Sequence, residues 1–581
     1  MVDNVPRSSR RAFLASAGTA LATVSAGCVD RFVSTSARSS PSGVSLSVLA
    51  PPADDDEGAV RIARQLVDNL STAGVDARLR PESGSELNRD FLVNHDFEVV
   101  VTGHARFEDP DRLRTLLYST YADSEGWSNP FGYSNLDTDD LLDRQRRAVG
   151  EERVEAAREL LDTVVRDQPF SVIAVPDYHS IALPSVAFES GATTLQRPLD
   201  YLSVRPPDGS SNLTVVMLDG GITVNRNPLA VEYHERGAVL GTVYDPLGRW
   251  VNDSVIPWLA SDWEFVDDGA DPRLSVTLRD DLRWHDGEPL GASDVAFSFR
   301  FLADTSLGNA DDTVPAPRFR GRERLVAGVE VDDEHSFTLR FSDCSPDVAK
   351  RALTIPVLPK HVWSSKSSLR KRLVTEALVW ENRQPVGSGP LQFAGAEDGE
   401  SVTLVRNDDH FLFRDDLTGP ATRFARRPAY ERVKFVVSPS SGAAIQLISE
   451  GSADALGSPL NGALDRARQD PNVSMAEDES WSWYLLGFNT RKSHLSNPRF
   501  RRAVARLVDR THVARAILNG DASPANVPPI RDEYVPESLY WSGEHALGPF
   551  PGTDGDADPE TARNLFREVG YRYDDGTLVA G

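Results

Sequence analysis

Leu278-Arg279-Asp280-Asp281-Leu282-Arg283-Trp284-His285-Asp286-Gly287-Glu288-Pro289-Leu290-Gly291-Ala292-Ser293-Asp294-Val295-Ala296-Phe297-Ser298-Phe299 reads as strand, turn and helix. Val276, Leu278, Leu282 and Trp284 supply the apolar positions of an extended, half-buried segment. Asp286-Gly287 is a turn pair, because glycine accepts positive φ without steric cost. Ser293 stands where a helix N-cap belongs, and Val295, Phe297 and Phe299 open the apolar face behind it. His285 beside Asp286 admits a metal or acid/base reading as well as a scaffold one.

Outward from this stretch, the chain of 581 residues is too long for one core; at roughly 100–200 residues per domain it holds about three or four. Its 62 Lys+Arg stand against 87 Asp+Glu, a net charge of −25. That excess repels phosphate, so nucleic acid and anionic membrane surfaces are excluded as partners. An acidic, lysine-poor composition also points to halophilic surroundings. A hydrophobic fraction of 40% is ample for globular cores.

The beginning of the chain carries its own signal. Ser9-Arg10-Arg11-Ala12-Phe13-Leu14 resembles the twin-arginine (Tat) export motif, and residues 15–24 form a short apolar run. A permanent membrane span needs about 20 apolar residues, more than this run has. Ser25-Ala26-Gly27-Cys28 resembles a lipobox, with Ser25 in place of the usual Leu, and implies lipidation at Cys28 after export. Residues 29–44 are Ser-rich and read as a flexible tether. With Cys28 lipidated, Cys344 has no disulfide partner, and no His–acid pattern marks it as a nucleophile.

The stretch 278–299 resembles the "LRDGVKFHDGEPLTAEDVVFS" signature of family 5 solute-binding proteins, the peptide, nickel and oligosaccharide receptors of ABC importers. Within that family the turn at His285 is scaffold. Further blocks resemble the same family. Val243-Tyr244-Asp245-Pro246-Leu247 with 258–265, Val386-Gly387-Ser388-Gly389-Pro390, 402–411, 444–454 and 488–504 match its N-terminal and central portions. Residues 45–185, including Asn129-Pro130-Phe131-Gly132-Tyr133-Ser134-Asn135, resemble its C-terminal portion, here placed at the front. The blocks occur once each in rotated order, which implies a circular permutation; a fusion of receptor halves predicts duplicated blocks instead. Residues 186–211, with Gly191, Pro198, Pro206, Pro207 and Gly209, read as the linker that bridges the old ends. The new ends, near Ser45 and Gly581, are expected as neighbours in one lobe.

The resemblance implies an α/β, two-lobed periplasmic-binding-protein fold of type II with a third, subsidiary domain. In the permuted order one lobe takes 45–165 and 482–581, and the other takes 166–185, 212–240 and 386–480. The subsidiary domain takes about 241–385, within the segment 212–581. Ligand is then expected between the lobes. The loop Gly103-His104-Ala105-Arg106-Phe107 corresponds to the family's "GWGADY", whose Asp holds a peptide's ammonium group. No Asp stands there, and Arg106 instead suits a carboxylate or phosphate; alternatively Arg106 pairs with Glu108 or Asp109. Trp481, Trp483 and Tyr484 suit an aromatic wall or core packing, with Asn489 beyond them, while Asp219 and Tyr244 complete the candidate ligand contacts.

No motif for phosphate cradling, zinc hydrolysis, Cys-x-x-Cys chemistry or a Ser nucleophile elbow occurs. The expected function is therefore binding without catalysis, cofactor or metal. The receptor, a monomer held at the outer face of the cell membrane by its lipid alone, delivers an oligopeptide-like solute to an ABC permease and its ATPases. Two alternatives are a sensory receptor without transport and a receptor for an oligosaccharide or nickel complex.

Overall fold

The computed structural model describes residues 43–581 apart from 125, 190–192, 231–236, 268–270, 461–462, 480 and 581. The export motif, the lipobox with Cys28 and the tether as far as residue 42 lie outside the described residues.

One large sheet dominates. Its strands in chain order are β1 (Ser45–Ala50), β2 (Asp76–Pro81), β3 (Val99–Ala105), β4 (Phe170–Ala182), β5 (Asn212–Met217), β6 (Leu391–Glu397), β7 (Ser401–Arg406), β8 (Arg432–Val437), β9 (Ala455–Leu456), β10 (Ser474–Glu479), β11 (Ser482–Phe488) and β12 (Ala522–Pro524). Across the sheet they run β6-β7-β8-β5-β9-β4-β11-β3-β1-β2, with β10 and β12 also pairing on β4. Successive residues of a strand face opposite sides, and here both sides are packed. Leu46, Val48, Val99, Val101, Leu486 and Phe488 share one core. Leu49, Val100, Trp483 and Leu485 share the core on the other face. Covering both faces is why the strand at 99–101 reads as an unbroken apolar run.

β1 lies parallel to both β2 and β3, and the helix α1 (Glu57–Thr72) connects β1 to β2. Asp56 caps α1 by accepting the Ala59 N–H at 2.9 Å, and Ile62, Leu66 and Leu70 are buried on its inner side. The helix ends before Gly74, which has φ of +87° and where a Cβ would lie 2.4 Å from the Gly576 carbonyl oxygen. Both demands leave only glycine, and they bring the last residues of the chain onto the first. The Leu578 N–H donates to Gly74 O at 2.7 Å, and the Val44 N–H donates to Leu578 O at 2.8 Å. Val44 and Leu578 are both fully buried in the same core.

β4 has a different character from the other strands. Its first half, through Ala174, pairs with β11, and its second half, from Asp177, pairs antiparallel with β10. Both halves are buried, but Val175, Pro176 and Asp177 between them are only half-buried. Beside it the chain crosses back, from β10 into β11. The two halves of the sheet are thus joined by a pair of antiparallel crossings. Residues 166–185 are therefore shared between the lobes, where the sequence reading gave them to one.

The subsidiary region holds a four-stranded antiparallel sheet in the order Ala260–Asp267, Arg273–Leu278, Ser336–Phe341, Val326–Val331, with the helix Ala292–Ala303 packed against it. That helix starts earlier than the sequence suggests. Its N-cap is Gly291, whose N–H donates to Asp294 Oδ2 at 3.1 Å, while Ser293 lies exposed in the first turn. The backbone explains the shift: Ala292 N–H is taken by Glu334 O at 2.9 Å, which fixes the entry of the chain.

His285 and Gly387 explain each other. The His285 N–H donates to Gly387 O at 2.8 Å, its ring Nε2 lies 2.9 Å from Gly389 O, and its Nδ1 accepts the Gly387 N–H at 3.3 Å. Packing pushes the imidazole down to about 4, so the ring is neutral and acts as a clamp on backbone. Val243 closes from the other side, where a Cβ on Gly387 would lie 1.9 Å from its carbonyl oxygen. Residues 186–211 also carry more structure than a linker. Leu195, Tyr201, Leu202 and Val204 are buried in the main core, and Pro198 opens a short helix, Pro198–Ser203. Gly387→Ala is expected to cost about 3 kcal/mol, since backbone cannot retreat as a side chain can. A lowered urea midpoint at unchanged slope checks this; an unchanged midpoint refutes the tight approach.

Candidate functional site

A cavity of about 310 Å³ opens where the end of β3, the passage from β10 to β11 at Trp481, the segment 196–203 and the subsidiary region meet. Its size falls at the small end of ligand pockets. One wall comes from the end of β3 and the start of β11. The Arg106 N–H donates to Trp481 O at 2.8 Å, and the Trp481 N–H donates to the Gln196 side-chain Oε1 at 3.2 Å, so three segments are pinned together at Trp481. The Arg106 guanidinium pairs with the exposed Glu479 carboxylate at the end of β10, not with Glu108 or Asp109. Arg197 pairs with Asp200 at 2.9 Å, and Asp200 is held by the N–H groups of Gln196 and Arg197. Both guanidinium carbons lie near the Trp481 ring, at 5.9 Å for Arg106 and 5.2 Å for Arg197.

The facing wall belongs to the subsidiary region. Arg318 Nη1 donates to Pro228 O at 2.9 Å, and Arg322 Nη1 donates to Thr354 Oγ1 at 2.9 Å. Their guanidinium carbons lie 5.7 Å and 5.2 Å from the buried Phe319 ring. Burial pushes Arg322 down to about 9, so it remains a cation at neutral pH. Arg249 and the exposed Arg423 also reach the cavity, but Arg249 is committed to buried Asp245 at 2.8 Å.

Of the side chains expected from sequence, Arg106, Tyr244 and Trp481 line this cavity. Tyr244 is buried, with its hydroxyl taking an N–H from Asn382 at 2.8 Å. The others lie elsewhere. His104 belongs to β3 rather than to a loop, is buried against Phe107, Trp127 and Trp483, and is pushed down to about 3 by burial and by Arg112. Phe107 and Trp483 are core, and Trp483 Nε1 donates to Ala105 O at 3.1 Å. Tyr484 faces the opposite side of the sheet, its hydroxyl on Asp56 Oδ1 at 2.9 Å. Asn489 is buried, donating to His95 O and Phe97 O. Asp219 is exposed and accepts the Gly221 N–H. Gln196, Arg197, Arg318 and Arg322 escaped the sequence reading because their segments carry no family block. Among the described residues no group of His, Cys, Asp and Glu is placed to hold a metal ion, and no helix is long and apolar enough to cross a membrane. Cys344 is fully buried and burial pushes its thiol up to about 12.

Residues 254–580 match the model of the bacterial extracellular solute-binding proteins, family 5, middle portion. The chain belongs to the family 5 extracellular solute-binding proteins. This is a family of receptors, not of enzymes. A Brucella ovis protein, named provisionally for peptide binding in an ABC transporter, is 24% identical over 355 residues, 61% of this chain and 59% of that one. Haemophilus influenzae heme-binding protein A is 25% identical over 377 residues, covering 62% and 63%. The chain thus spans less than two thirds of the length of these curated relatives. Among solved structures, the oligopeptide-binding protein AppA of Bacillus subtilis, in complex with a nonapeptide, is 18% identical, covers 65% of this chain and 67% of that one, and has a TM-score of 0.47.

Beside the cavity, one buried ion cluster ties the lobe of β3 to the subsidiary region. Asp111, fully buried, accepts Nε and Nη2 of Arg146 at 2.7 Å each and also pairs with Arg351, which comes from residues 350–354. Burial alone raises a carboxyl, but Arg146 and Arg351 hold this one down at about 2. Removing the charge strands two buried guanidinium groups, so Asp111→Asn is expected to cost about 3–5 kcal/mol. A carboxylate whose value falls on folding stabilises fully above its unfolded value of 3.8, and the benefit fades as pH falls toward 2. Urea titrations of both proteins are expected to show the gap whole at pH 6 and narrowing below pH 4. A pH-independent gap contradicts this account.

Proposed function

We propose that this protein is the extracytoplasmic solute receptor of an ABC importer, capturing a small, peptide-like solute between its lobes and delivering it to a membrane permease. The observation that carries the reading is the coincidence of the family match over residues 254–580 with a ligand-sized cavity lined from the end of β3, Trp481, the segment 196–203 and the subsidiary region. Names of relatives that speak of peptide binding in ABC transport support the solute class. Such a receptor works by differential binding: the solute favours the closed arrangement, and the permease reads that arrangement. Export on the twin-arginine motif and lipidation at Cys28 tether it to the outer face of the membrane, where it acts as a monomer without catalysis, cofactor or nucleic acid.

We infer in addition that the chain is circularly permuted. The family's blocks read once each in rotated order, and the hydrogen bond from Val44 N–H to Leu578 O supports the same reading, since it joins the segments that a permutation would have separated. Native mass spectrometry of the purified protein is expected to show a bound small solute that leaves on partial unfolding. Protein that carries nothing and responds to no peptide pool contradicts the receptor reading. For the permutation, joining residue 581 to residue 43 by a short Gly/Ser link and opening the chain at Gly209, an exposed turn, restores the family's order. That relinked protein is expected to melt within a few degrees of the parent; failure to fold overturns the permuted reading.

A further inference from the structure

The cavity's charge runs against that of the molecule. A chain of net charge −25 places six arginines along this one cavity, against two carboxylates, Glu108 and Asp200. The arginines are also not scattered. Arg106 and Arg197 flank Trp481 at one end, and Arg318 and Arg322 flank Phe319 at the other, on segments from opposite sides of the cleft. Each end is therefore an aromatic ring with two guanidinium groups within 6 Å of its centre. Arg106 and Arg197 are paired with carboxylates, but a guanidinium has five N–H donors and a carboxylate engages at most two of them. At the other end, Arg322 donates to Thr354, and the cavity carboxylate Glu108 acts on it through charge; among the described residues no ion pair joins the two. Holding cations together in a small, partly dry space costs energy unless something of opposite sign joins them.

Resting on the receptor reading above, we propose that the solute is an anion with carboxylates at both ends, one read by Arg106 and Arg197 beside Trp481 and the other by Arg318 and Arg322 beside Phe319. Guanidinium forks suit carboxylates because two parallel N–H donors match two oxygens. The aromatic plates then cover the apolar part of the solute. A short acidic peptide and a non-peptide dicarboxylate share this chemistry.

Calorimetry on the whole protein with four probes separates the possibilities: Glu-Glu-Glu, Ala-Ala-Ala, Lys-Lys-Lys and adipate. At least one of the two acidic probes is expected to bind tenfold or more tighter than Ala-Ala-Ala, with Lys-Lys-Lys excluded, and Glu-Glu-Glu against adipate tells peptide from non-peptide. Raising salt from 0.1 to 1 M is expected to weaken the acidic probe. Arg106→Gln and Arg322→Gln are each expected to weaken it tenfold or more, and Arg322→Lys to recover part of the loss. Circular dichroism melting curves confirm that the variants fold. Equal or tighter binding of Ala-Ala-Ala or Lys-Lys-Lys overturns the anionic solute while leaving a peptide receptor standing. Binding of none of the four overturns the inference, and native mass spectrometry then judges the receptor reading by itself.

Discussion

The backbone ladder between β4 and the pair β10–β11 is the constraint on which the rest depends. Two antiparallel crossings make the two halves of the sheet one body, and β12 pairs with β4 at their midpoint, Ala522, Ser523 and Pro524 opposite Pro176, Val175 and Ala174. Val175, Pro176 and Asp177 are half-buried there, while residues on both sides are buried. Pro176 donates no backbone N–H to that pairing, while the Asp177 N–H donates to Asp521 O at 3.0 Å. A joint of this kind lets each lobe keep its own core while their angle changes. The cavity sits beside that joint, and Trp481 and Arg106 are bound to it through backbone.

Electrostatics and position then reinforce each other. Elsewhere the chain's acidic excess faces solvent, where carboxylates are hydrated and screened. The arginines of the cleft are drawn from loops and short helices of different regions, so no one element carries the whole positive charge. Arg106 follows β3, Arg197 opens the helix Pro198–Ser203, and Arg322 lies in the short helix Arg320–Glu323 of the subsidiary region. On the receptor reading, a solute touching all of them bridges the segments that line the cavity. Opposite charge would thus hold the lobes together as well as the ligand, which is how a binding event can favour one arrangement over another.

Local structure was legible where local pattern decides it. The extended run at Val276 and Leu278, the turn at Asp286-Gly287 and the apolar face of Val295, Phe297 and Phe299 all read directly from sequence. The joining of β11 between β3 and β4 could not be read that way, since it depends on pairings between residues hundreds of positions apart. The same limit applied to the site. Arg106 stood in a recognisable block and Trp481 in a cluster of aromatics, but Arg197 lay in a segment whose prolines and glycines suggested a linker. Pro198 in fact begins a helix, and Tyr201 and Leu202 bury it. His104, Phe107 and Trp483 misled for a physical reason: aromatic residues beside a cleft serve equally well as the core that stiffens it.

The most direct test of the account is a distance across the cleft. Glu108, which lines the cavity after β3, and Thr422, next to the lining residue Arg423, are both exposed, and fully buried Cys344 is shielded from labelling. Spin labels at Glu108→Cys and Thr422→Cys, in a chain with Cys28→Ser, report that distance by pulsed electron resonance. Two populations are expected, with the shorter one gaining as the bound solute is restored to stripped protein. A single distance that ignores the solute would contradict a receptor that closes about β4 and its partner strands.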